Sequence, residues 1–247
     1  MPISGSEMLV CRVGRMSYES AWSWQQDLRR DRLRGEGAGA GADLLLLVEH
    51  PPTYTLGRSC RPEHLLADSA ALEREGIALF HIERGGSATY HGPGQLVGYP
   101  IVNLKNRNRD VHLFIRNLEQ VLIGALAAFG VEAGTRQGLT GVWILQEKKK
   151  IASVGIHVRQ WITMHGFALN VAPDLSHFSW IQPCGFDSGV MTSMAQWMAE
   201  APDLEAVAVE VARQFEEVFE CSTREVGVEE LEPGGPRNCR PQSRRLD

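Results

Sequence analysis

Short apolar or alternating runs, each bounded by glycine or proline, set the strongest constraint on the fold of this chain. They lie at residues 44–48, 53–57, 77–82, 96–103, 141–146, 151–158 and 161–170. Their lengths and flanking residues are typical of β-strands. Several runs follow one another without the helical crossover that parallel strands require. The pattern therefore predicts a mixed, largely antiparallel sheet of about seven strands.

Three segments have the periodicity of helices. Residues 110–130 place apolar side chains on one stripe, with Asp110 as the N-cap and Gly130 as the stop. Residues 203–219 repeat the pattern after a proline, and a third helix is expected around 17–33. Together with the sheet they predict an α/β fold of the α+β type.

Length and composition favour one large domain. The 247 residues with 43% apolar content suffice for a substantial core. We predict a single domain over residues 1–221, with a flexible Gly/Ala-rich connector at 34–43. Residues 222–247 turn polar and are predicted to form a disordered tail.

Charge and cysteine usage exclude several classes of protein. The net charge is −5 and no basic stripe gathers on a predicted element, so nucleic acid is not an expected partner. The longest apolar runs, at 44–48 and 121–131, are shorter than the roughly 20 residues that span a bilayer. Five cysteines without a close pair argue against a disulfide framework or a zinc site. We expect a cytoplasmic protein without a membrane span, a metal or a cofactor.

The stretch RGGSATYHGPGQ, 84–95, forms a long glycine-rich connection between predicted strands. Glycine tolerates positive φ and allows a ligand to approach the backbone, and we assign Gly86 and Gly94 to such an approach. The stretch lacks the spacing of a nucleotide P-loop or a dinucleotide fingerprint. Spacing alone leaves a ligand loop and a structural turn equally open.

Two further stretches carry reactive side chains. In EKKKIASVGIHV, 147–158, a strand that alternates without a bulge would place Lys150 on one face with Ala152, Val154 and Ile156. Lys148 and Lys149 would remain in the turn, and the plain interpretation of the three lysines is a solvated hairpin tip. In QPCGFDSGVMTSM, 182–194, Cys184 lies in a predicted loop, where reactive groups are common.

The motifs together resemble one family. RGGSATYHGPGQLVGYPIVNL, GVWI followed by KIASVG, HGFALNV, and PCG followed by MTSM occur in this order and with similar spacing in the lipoyl(octanoyl) transferases. The resemblance covers roughly residues 9–220. It implies the fold shared by biotin and lipoate protein ligases, in which a mixed sheet and a smaller sheet are packed by helices.

The resemblance also implies a reaction and its partners. An octanoyl or lipoyl group would pass from acyl carrier protein to the acceptor lysine of a lipoyl domain through a cysteine thioester. The acceptors would be lipoyl domains of 2-oxoacid dehydrogenase complexes or the glycine cleavage H protein, and the enzyme is expected to be a monomer.

Site residues follow from the resemblance position by position. It makes Cys184 the acyl-accepting nucleophile and Lys150 its activator. Acyl contacts would come from three segments: Arg84, Gly85, Gly86, Ser87, Ala88, Thr89, Tyr90 and His91; Ser153, Val154 and Gly155; and Gly166, Phe167 and Ala168.

Other interpretations stay open at this point. An ATP-dependent lipoate or biotin ligase would share the fold but would not require Cys184. A non-catalytic fatty-acyl binding module would leave that cysteine inert, and an amide-donor transferase would use a different acyl source. The roles of His91 and His165 are also open, since loop and sheet histidines more often bond the backbone than transfer protons.

Overall fold

The computed structural model describes residues 7–36, 41–182 and 188–231 of the chain. Five α-helices occur in this part, α1 (Tyr18–Arg34), α2 (Ser69–Arg74), α3 (Val111–Ala128), α4 (Leu204–Phe219) and α5 (Val228–Leu231). Its strands are β1 (Glu7–Arg15), β2 (Asp43–Glu49), β3 (Thr53–Leu56), β4 (Ala78–His81), β5 (Ala88–His91), β6 (Gln95–Ile101), β7 (Gly134–Arg136), β8 (Leu139–Ile144), β9 (Lys149–Arg159), β10 (Ile162–Asn170) and β11 (Ser222–Glu225).

The strands form a large sheet and a small one. The large sheet has the order β11-β1-β2-β6-β10-β9-β8-β7, and the small sheet has the order β4-β3-β5. In the large sheet, β1 pairs in parallel with β11 and β2, and the other neighbours are antiparallel. The predicted mixed, largely antiparallel architecture with a smaller sheet is confirmed.

Both faces of the large sheet are covered, which explains the uninterrupted apolar run in β2. Leu45 and Leu47 face a core built with α3 and α4, whereas Leu44 and Leu46 face a second core beneath α1. A strand buried on both faces reads as a continuous apolar run rather than as an alternation. A third, smaller core lies under the small sheet.

Helix α3 follows its sequence pattern closely. The Asp110 side chain accepts a hydrogen bond from the Leu113 N–H at 2.9 Å, and Gly130 takes positive φ just after the helix. Among the described residues, this helix alone is long and apolar enough to cross a membrane by length and composition. Its buried stripe packs against α4 and the sheet, as expected of a helix in a protein core.

The predicted polar tail begins too early. Residues 222–225 form β11, which pairs in parallel with β1 at the edge of the large sheet. Val226 and Leu231 are buried in the core beneath α1. The segment was missed because an edge strand such as STRE is stabilised by backbone hydrogen bonds and needs no apolar pattern. Residues 232–247 of the predicted tail lie outside the described residues.

The connector and three other strands also differ from the prediction. Helix α1 reaches Arg34 and ends at Gly35 in the left-handed conformation, and β2 begins at Asp43. Positions 37–40 of the predicted flexible connector lie outside the described residues. Strands β1, β5 and β7 were not among the predicted strands; β7 has only three residues, too few for a periodic signal.

We expect Leu231→Ala to lower the free energy of unfolding by about 2 kcal/mol, because it removes buried methyl groups near the end of a chain that can partly relax. Leu231 is 5% exposed. Urea titration of both proteins measures the difference. Val209→Ala, at a side chain that is 52% exposed, is the control and should change stability by less than about 0.5 kcal/mol. Equal effects of the two substitutions would show that residues 226–231 do not contribute to the core.

Candidate active site

A groove lies on the α1 face of the large sheet, where the small sheet and helix α1 meet it. Its volume is about 550 Å³ including the open mouth. The three segments predicted to contact the acyl group all line it, as do Tyr18, Val97, Tyr99 and His165. Of the predicted contacts, only Ser87 and Tyr90 are absent from its wall. The fold thus brings the predicted contact residues together around one groove, although the first and last of them, Arg84 and Ala168, are 84 positions apart in the chain.

The loop at Arg84–Gly86 joins the two sheets through backbone contacts. The Gly85 N–H donates to the Ile156 carbonyl of β9 at 3.0 Å. A Cβ at position 155 would lie 2.9 Å from the Gly85 carbonyl oxygen, and one at position 57 would collide with the Gly86 carbonyl. Glycine is therefore required at both positions for the loop to fit between the sheets.

Arg84 is a structural clamp as well as a groove residue. Its side chain is buried, and Nη2 donates to the Thr55 carbonyl at 2.7 Å and to Thr55 Oγ1 at 3.0 Å. Nη1 donates to the Gly85 carbonyl at 3.0 Å. The guanidinium thus ties the start of the glycine loop to strand β3 of the small sheet.

Lys150 also lines the groove, but a β-bulge puts it there. Trp143 pairs with Lys150 and Val142 pairs with Ala152, so Ile151 is an extra residue in β9. Ile151 and Ala152 both enter the core under α3, and alternation resumes with Ser153 on the groove side. The expectation that Lys150 shares a face with Ala152 and Ile156 is therefore wrong, because the bulge shifts the register by one residue.

The Lys150 side chain is 4% exposed and fits against a glycine. Its Nζ lies 5.5 Å from the centre of the Trp143 ring. A Cβ on Gly141 would lie 2.6 Å from Lys150 Cε, and Gly141 has φ +116°. The Gly141 N–H donates to the buried Glu119 carboxylate of α3 at 2.7 Å. Helix α3 thus fixes the backbone against which the lysine packs.

The turn lysines behave differently from each other. Lys148 has positive φ and is exposed in the turn. Lys149 is already the first residue of β9, and its Nζ bonds the Gly189 carbonyl. The predicted turn position is therefore correct for Lys148 and wrong for Lys149.

The predicted nucleophile, Cys184, lies outside the described residues, which stop at Gln182 and resume at Ser188. The two flanks are nevertheless attached to the site. The Gln182 N–H donates to the His64 carbonyl at 2.9 Å, and the Thr192 N–H donates to the Lys150 carbonyl at 3.0 Å. The chain therefore leaves and rejoins the described fold beside His64 and beside Lys150.

A buried polar network orients His91 in the groove wall. Its Nδ1 lies 2.8 Å from Gln95 Oε1, which makes Nδ1 the donor. The Gln95 amide donates to Asn170 Oδ1 at 2.8 Å, and the Asn170 amide donates to the Thr192 carbonyl at 2.9 Å. Burial lowers the pKa of His91 to about 3, so the ring is neutral at pH 7. The network links the groove to the segment that follows Cys184.

His165 is held by its backbone. It has φ +57°, and its N–H donates to the buried Gln25 Oε1 of α1 at 2.8 Å. Its Nε2 is 3.8 Å from Glu83 Oε2, longer than a hydrogen bond. Burial lowers the pKa of His165.

The glycine-rich stretch divides into two parts. Gly86 lines the groove, but Gly94 does not. The Gly94 N–H donates to Glu49 Oε1 at 2.7 Å, its carbonyl accepts from Ala172, and a Cβ there would collide with the Ala172 carbonyl. The assignment of Gly94 to ligand approach is wrong, because this end of the stretch is a packed structural turn.

The two predicted contacts outside the groove have other partners. Tyr90 packs in the core of the small sheet, with its ring 4.8 Å from that of His177. Ser87 Oγ lies 2.6 Å from His64 Nδ1. Because β5 alternates, Tyr90 points away from Thr89 and His91, towards the core that it shares with Ala88.

Four groove residues were not predicted as contacts: Tyr18, Val97, Tyr99 and His165, whose role the sequence left open. Val97 and Tyr99 lie in the LVGYP run that was assigned only to a strand, so its alternation was the available signal. Tyr18 belongs to α1, and no local pattern distinguishes it from any other core residue of that helix. It reaches the groove only because α1 packs across β6 and β10.

The site geometry and the fold agree with one family. The family model of the lipoyl protein ligase A/B catalytic domain matches residues 17–216. The chain belongs to this family of catalytic domains.

Its curated relatives and structural neighbours are consistent with that assignment. The octanoyltransferase of Solibacter usitatus is 48% identical over 85% of this chain and 91% of that protein. The octanoyltransferase of Gloeobacter violaceus is 45% identical over 94% of this chain and 95% of that protein. A crystal structure of lipoate-protein ligase A bound with ATP has a TM-score of 0.70 at 17% identity, covering 94% of this chain and 92% of that one. At that identity the structural likeness shows the fold alone.

Neutral, buried His91 leads to a prediction about acid stability. Its pKa of about 3 lies below that of an unfolded histidine, about 6.5, so the unfolded chain binds the extra proton between these values. Stability is therefore present above about pH 6.5 and is lost as the pH falls. We expect the free energy of unfolding of wild type to drop by about 1 kcal/mol more than that of His91→Gln between about pH 6 and 5.

Urea titrations at the two pH values measure this difference. His112→Gln removes an exposed histidine of α3 and should follow wild type. A His91→Gln variant with the wild-type pH dependence would contradict the buried neutral ring.

Proposed function

We propose that this protein transfers an octanoyl group from the thioester of an acyl carrier protein to the acceptor lysine of a lipoyl domain. Cys184 holds the octanoyl group as a thioester between the two steps. The observation that carries the proposal is the buried Lys150 at the wall of a groove that is lined by all three predicted acyl-contact segments. The finding that the curated relatives are octanoyltransferases supports the choice of reaction.

The groove suits a saturated acyl chain. Backbone and small side chains from the glycine loop, Ser153–Gly155 and Gly166–Ala168 leave space above the sheet. Val97, Tyr99 and Ala168 supply apolar surface on the same face. An eight-carbon chain offers no polar handle, and its burial contributes about 0.8 kcal/mol per CH₂ group.

The first chemical step is acylation of the enzyme. The Cys184 thiolate attacks the thioester carbonyl, a new carbon–sulfur bond forms, and the bond to the carrier sulfur breaks. The Lys150 ammonium gives a proton to the departing sulfur, which leaves as a thiol. The enzyme then holds an acyl-cysteine and a neutral Lys150.

In the second step, the amine of the acceptor lysine attacks the acyl-cysteine. The carbon–nitrogen bond forms, the carbon–sulfur bond breaks, and Lys150 takes the proton that the amine loses. The Cys184 thiolate and the Lys150 ammonium are thereby restored. No ATP is consumed, because formation of an amide from a thioester is downhill.

Fewer backbone N–H groups are free to stabilise the oxyanion of the thioester than the number of glycines in the loop suggests. The N–H groups of Gly85 and Gly94 are bonded to Ile156 and Glu49 within the protein. The carbonyl oxygen of the bound thioester therefore relies on other groups of the site.

The donor is an octanoylated acyl carrier protein, and the acceptors are lipoyl domains of 2-oxoacid dehydrogenase complexes or the glycine cleavage H protein. The enzyme acts as a cytoplasmic monomer on both. These partners follow from the resemblance of the site segments to the lipoyl(octanoyl) transferases.

Cys184 should carry the acyl group. Incubation of the protein with octanoyl-acyl carrier protein, without an acceptor, should add one octanoyl group, because the thioester forms but has no amine to react with. Intact mass gives the stoichiometry, and peptide mapping should place the adduct on Cys184.

Cys60→Ala is the matched control and should still be acylated, since Cys60 lies outside the groove. Mapping of the adduct to Cys60 or Cys221, or full activity of Cys184→Ala, would sink the mechanism. A requirement for ATP would indicate a ligase instead, and stoichiometric binding without turnover would indicate a binding module.

Lys150→Ala should slow acylation of Cys184 and move the midpoint of its pH–rate profile upward. An ordinary thiol with a pKa near 8.5 is only ~3% thiolate at pH 7, and a neighbouring ammonium lowers a thiol pKa by about 1 to 3 units. Loss of the ammonium therefore raises the midpoint by about one unit or more. Single-turnover acylation at a series of pH values measures the shift.

Two further variants separate charge from proton transfer. Lys150→Arg keeps a positive charge but does not deprotonate, so it should retain part of the acylation rate and lose transfer to the acceptor. Lys148→Ala, in the exposed turn, is the control and should behave like wild type. An unchanged midpoint in Lys150→Ala would contradict the assignment of Lys150 as the activator of Cys184.

A further inference from the structure

A second cavity opens beside the groove and differs from it in chemistry. It is lined by Ser59, Arg61, Glu63, His64, Gly86, Ser87 and Gln182, and its volume is about 980 Å³ including the open mouth. Apart from the glycine, every lining residue is polar or charged. The only residue that it shares with the apolar groove is Gly86.

Gly86 joins the two spaces without a side chain between them. It has φ +88°, a conformation that favours glycine, and its carbonyl accepts a hydrogen bond from the Ser59 N–H at 3.1 Å. Ala88 then lines the groove and Ser87 lines the second cavity. The apolar groove and the polar cavity therefore meet within a single turn of the backbone.

Hydrogen bonds hold the polar cavity open in its present shape. The Gly57 N–H donates to the Ser87 carbonyl at 3.1 Å, and the Gln182 N–H donates to the His64 carbonyl at 2.9 Å. The cavity is therefore built into the fold, as expected of a binding site that is formed before its ligand arrives.

His64 has a defined tautomer and can donate to a ligand. The Arg61 N–H donates to His64 Nδ1 at 3.2 Å, so Nδ1 carries no proton. Ser87 Oγ, 2.6 Å from the same nitrogen, donates its hydroxyl proton to it. The proton of the neutral ring is therefore on Nε2. The cavity thus offers an imidazole N–H, serine hydroxyl oxygens and a glutamine amide at its wall.

Arg61 adds only a weak charge to this wall. Its guanidinium is largely exposed and lies 3.8 Å from the Glu63 carboxylate, which also lines the cavity. The two charges offset each other, so the cavity is suited to a neutral polar ligand. Amide groups, which both donate and accept hydrogen bonds, match this set of partners.

We propose that this polar cavity binds the pantetheine arm of the acyl donor, which carries two amides and a hydroxyl. The proposal rests on the proposed function, in which the donor is a thioester with an apolar chain on one side of its sulfur and a long polar arm on the other. That change of polarity matches the change at Gly86. The side chain of the acceptor lysine has only four methylenes and an amine, and it offers no amide or hydroxyl to these polar partners.

The test uses two unreactive probes that share the alkyl chain, S-octyl-pantetheine and octyl 2-hydroxyethyl sulfide. Calorimetry on the full-length protein should give a Kd about tenfold or more lower for S-octyl-pantetheine, since the arm adds hydrogen bonds that the short probe lacks. Binding requires no chemistry, so this result is independent of whether Cys184 becomes acylated.

Ser59→Trp fills the cavity from an exposed position and should abolish the preference for S-octyl-pantetheine while leaving the short probe unaffected. Leu66→Trp places the same bulk at an exposed position that lines neither cavity, so it is the matched control and should keep the wild-type preference. Unchanged binding of the short probe shows that Ser59→Trp has folded.

Three results would overturn the proposal. The first is equal affinity of wild type for the two probes, and the second is a preference that survives in Ser59→Trp. The third is a Ser59→Trp variant that binds S-octyl-pantetheine normally but requires more lipoyl domain for half-maximal transfer, which would assign the cavity to the acceptor. Failure of Cys184 acylation with an intact probe preference would instead refute the proposed function and leave the arm site standing.

Discussion

Backbone contact between the Arg84–Gly86 loop and two strands of different sheets is the constraint on which the active site depends. Gly57 of the small-sheet side and Gly155 of β9 are the positions that make this contact possible. A side chain at either one would separate the sheets and widen the groove between them. Arg84 secures the contact from the small sheet by donating to Thr55. The width of the groove is therefore set by glycine backbone rather than by flexible side chains.

The position of Lys150 depends on a second constraint, the bulge at Ile151. Without it, the lysine would point into the core beneath α3, where burial of an ammonium is costly. With it, the side chain lies along Trp143 and reaches the groove. Gly141, held by Glu119 of α3, leaves the room that the lysine stem needs. A helix on the far side of the sheet thus fixes the position of the proposed activator.

The site is apolar at one end and polar at the other, because it consists of two cavities of different chemistry. The apolar groove and the polar cavity meet at Gly86, and the chain around Cys184 leaves the described fold beside His64 and returns beside Lys150. The acyl thioester of the donor likewise has an apolar chain and a polar arm, which meet at its reactive thioester group. Under this interpretation, the donor is recognised on both sides of its sulfur. The acceptor lysine is then selected by its reach to the thioester carbon.

Prediction from the sequence succeeded for elements whose structure depends on neighbouring residues in the chain. The stripe of α3, with Asp110 and Gly130 at its ends, was placed nearly to the residue, because amphipathic periodicity and capping are local properties. Strand β11 was missed, since STRE carries no apolar signal and is defined by its partner β1. Gly94 was given to a ligand although it serves a packed turn, because a glycine is equally compatible with both uses.

By itself, the sequence determined the class of fold, the principal helices and the segments that line the groove, because periodicity, breakers and family motifs are properties of neighbouring residues. Only the tertiary structure decided which side chains of those segments face the groove. Ser87 faces the polar cavity and Tyr90 lies outside the groove, whereas Tyr18 of the distant helix α1 lines it. Lys150 lies on the groove face of the sheet rather than on the face predicted from simple alternation. The physical reason is that strand pairing and a single bulge select the face that each residue presents, and neither is encoded in a short stretch of chain.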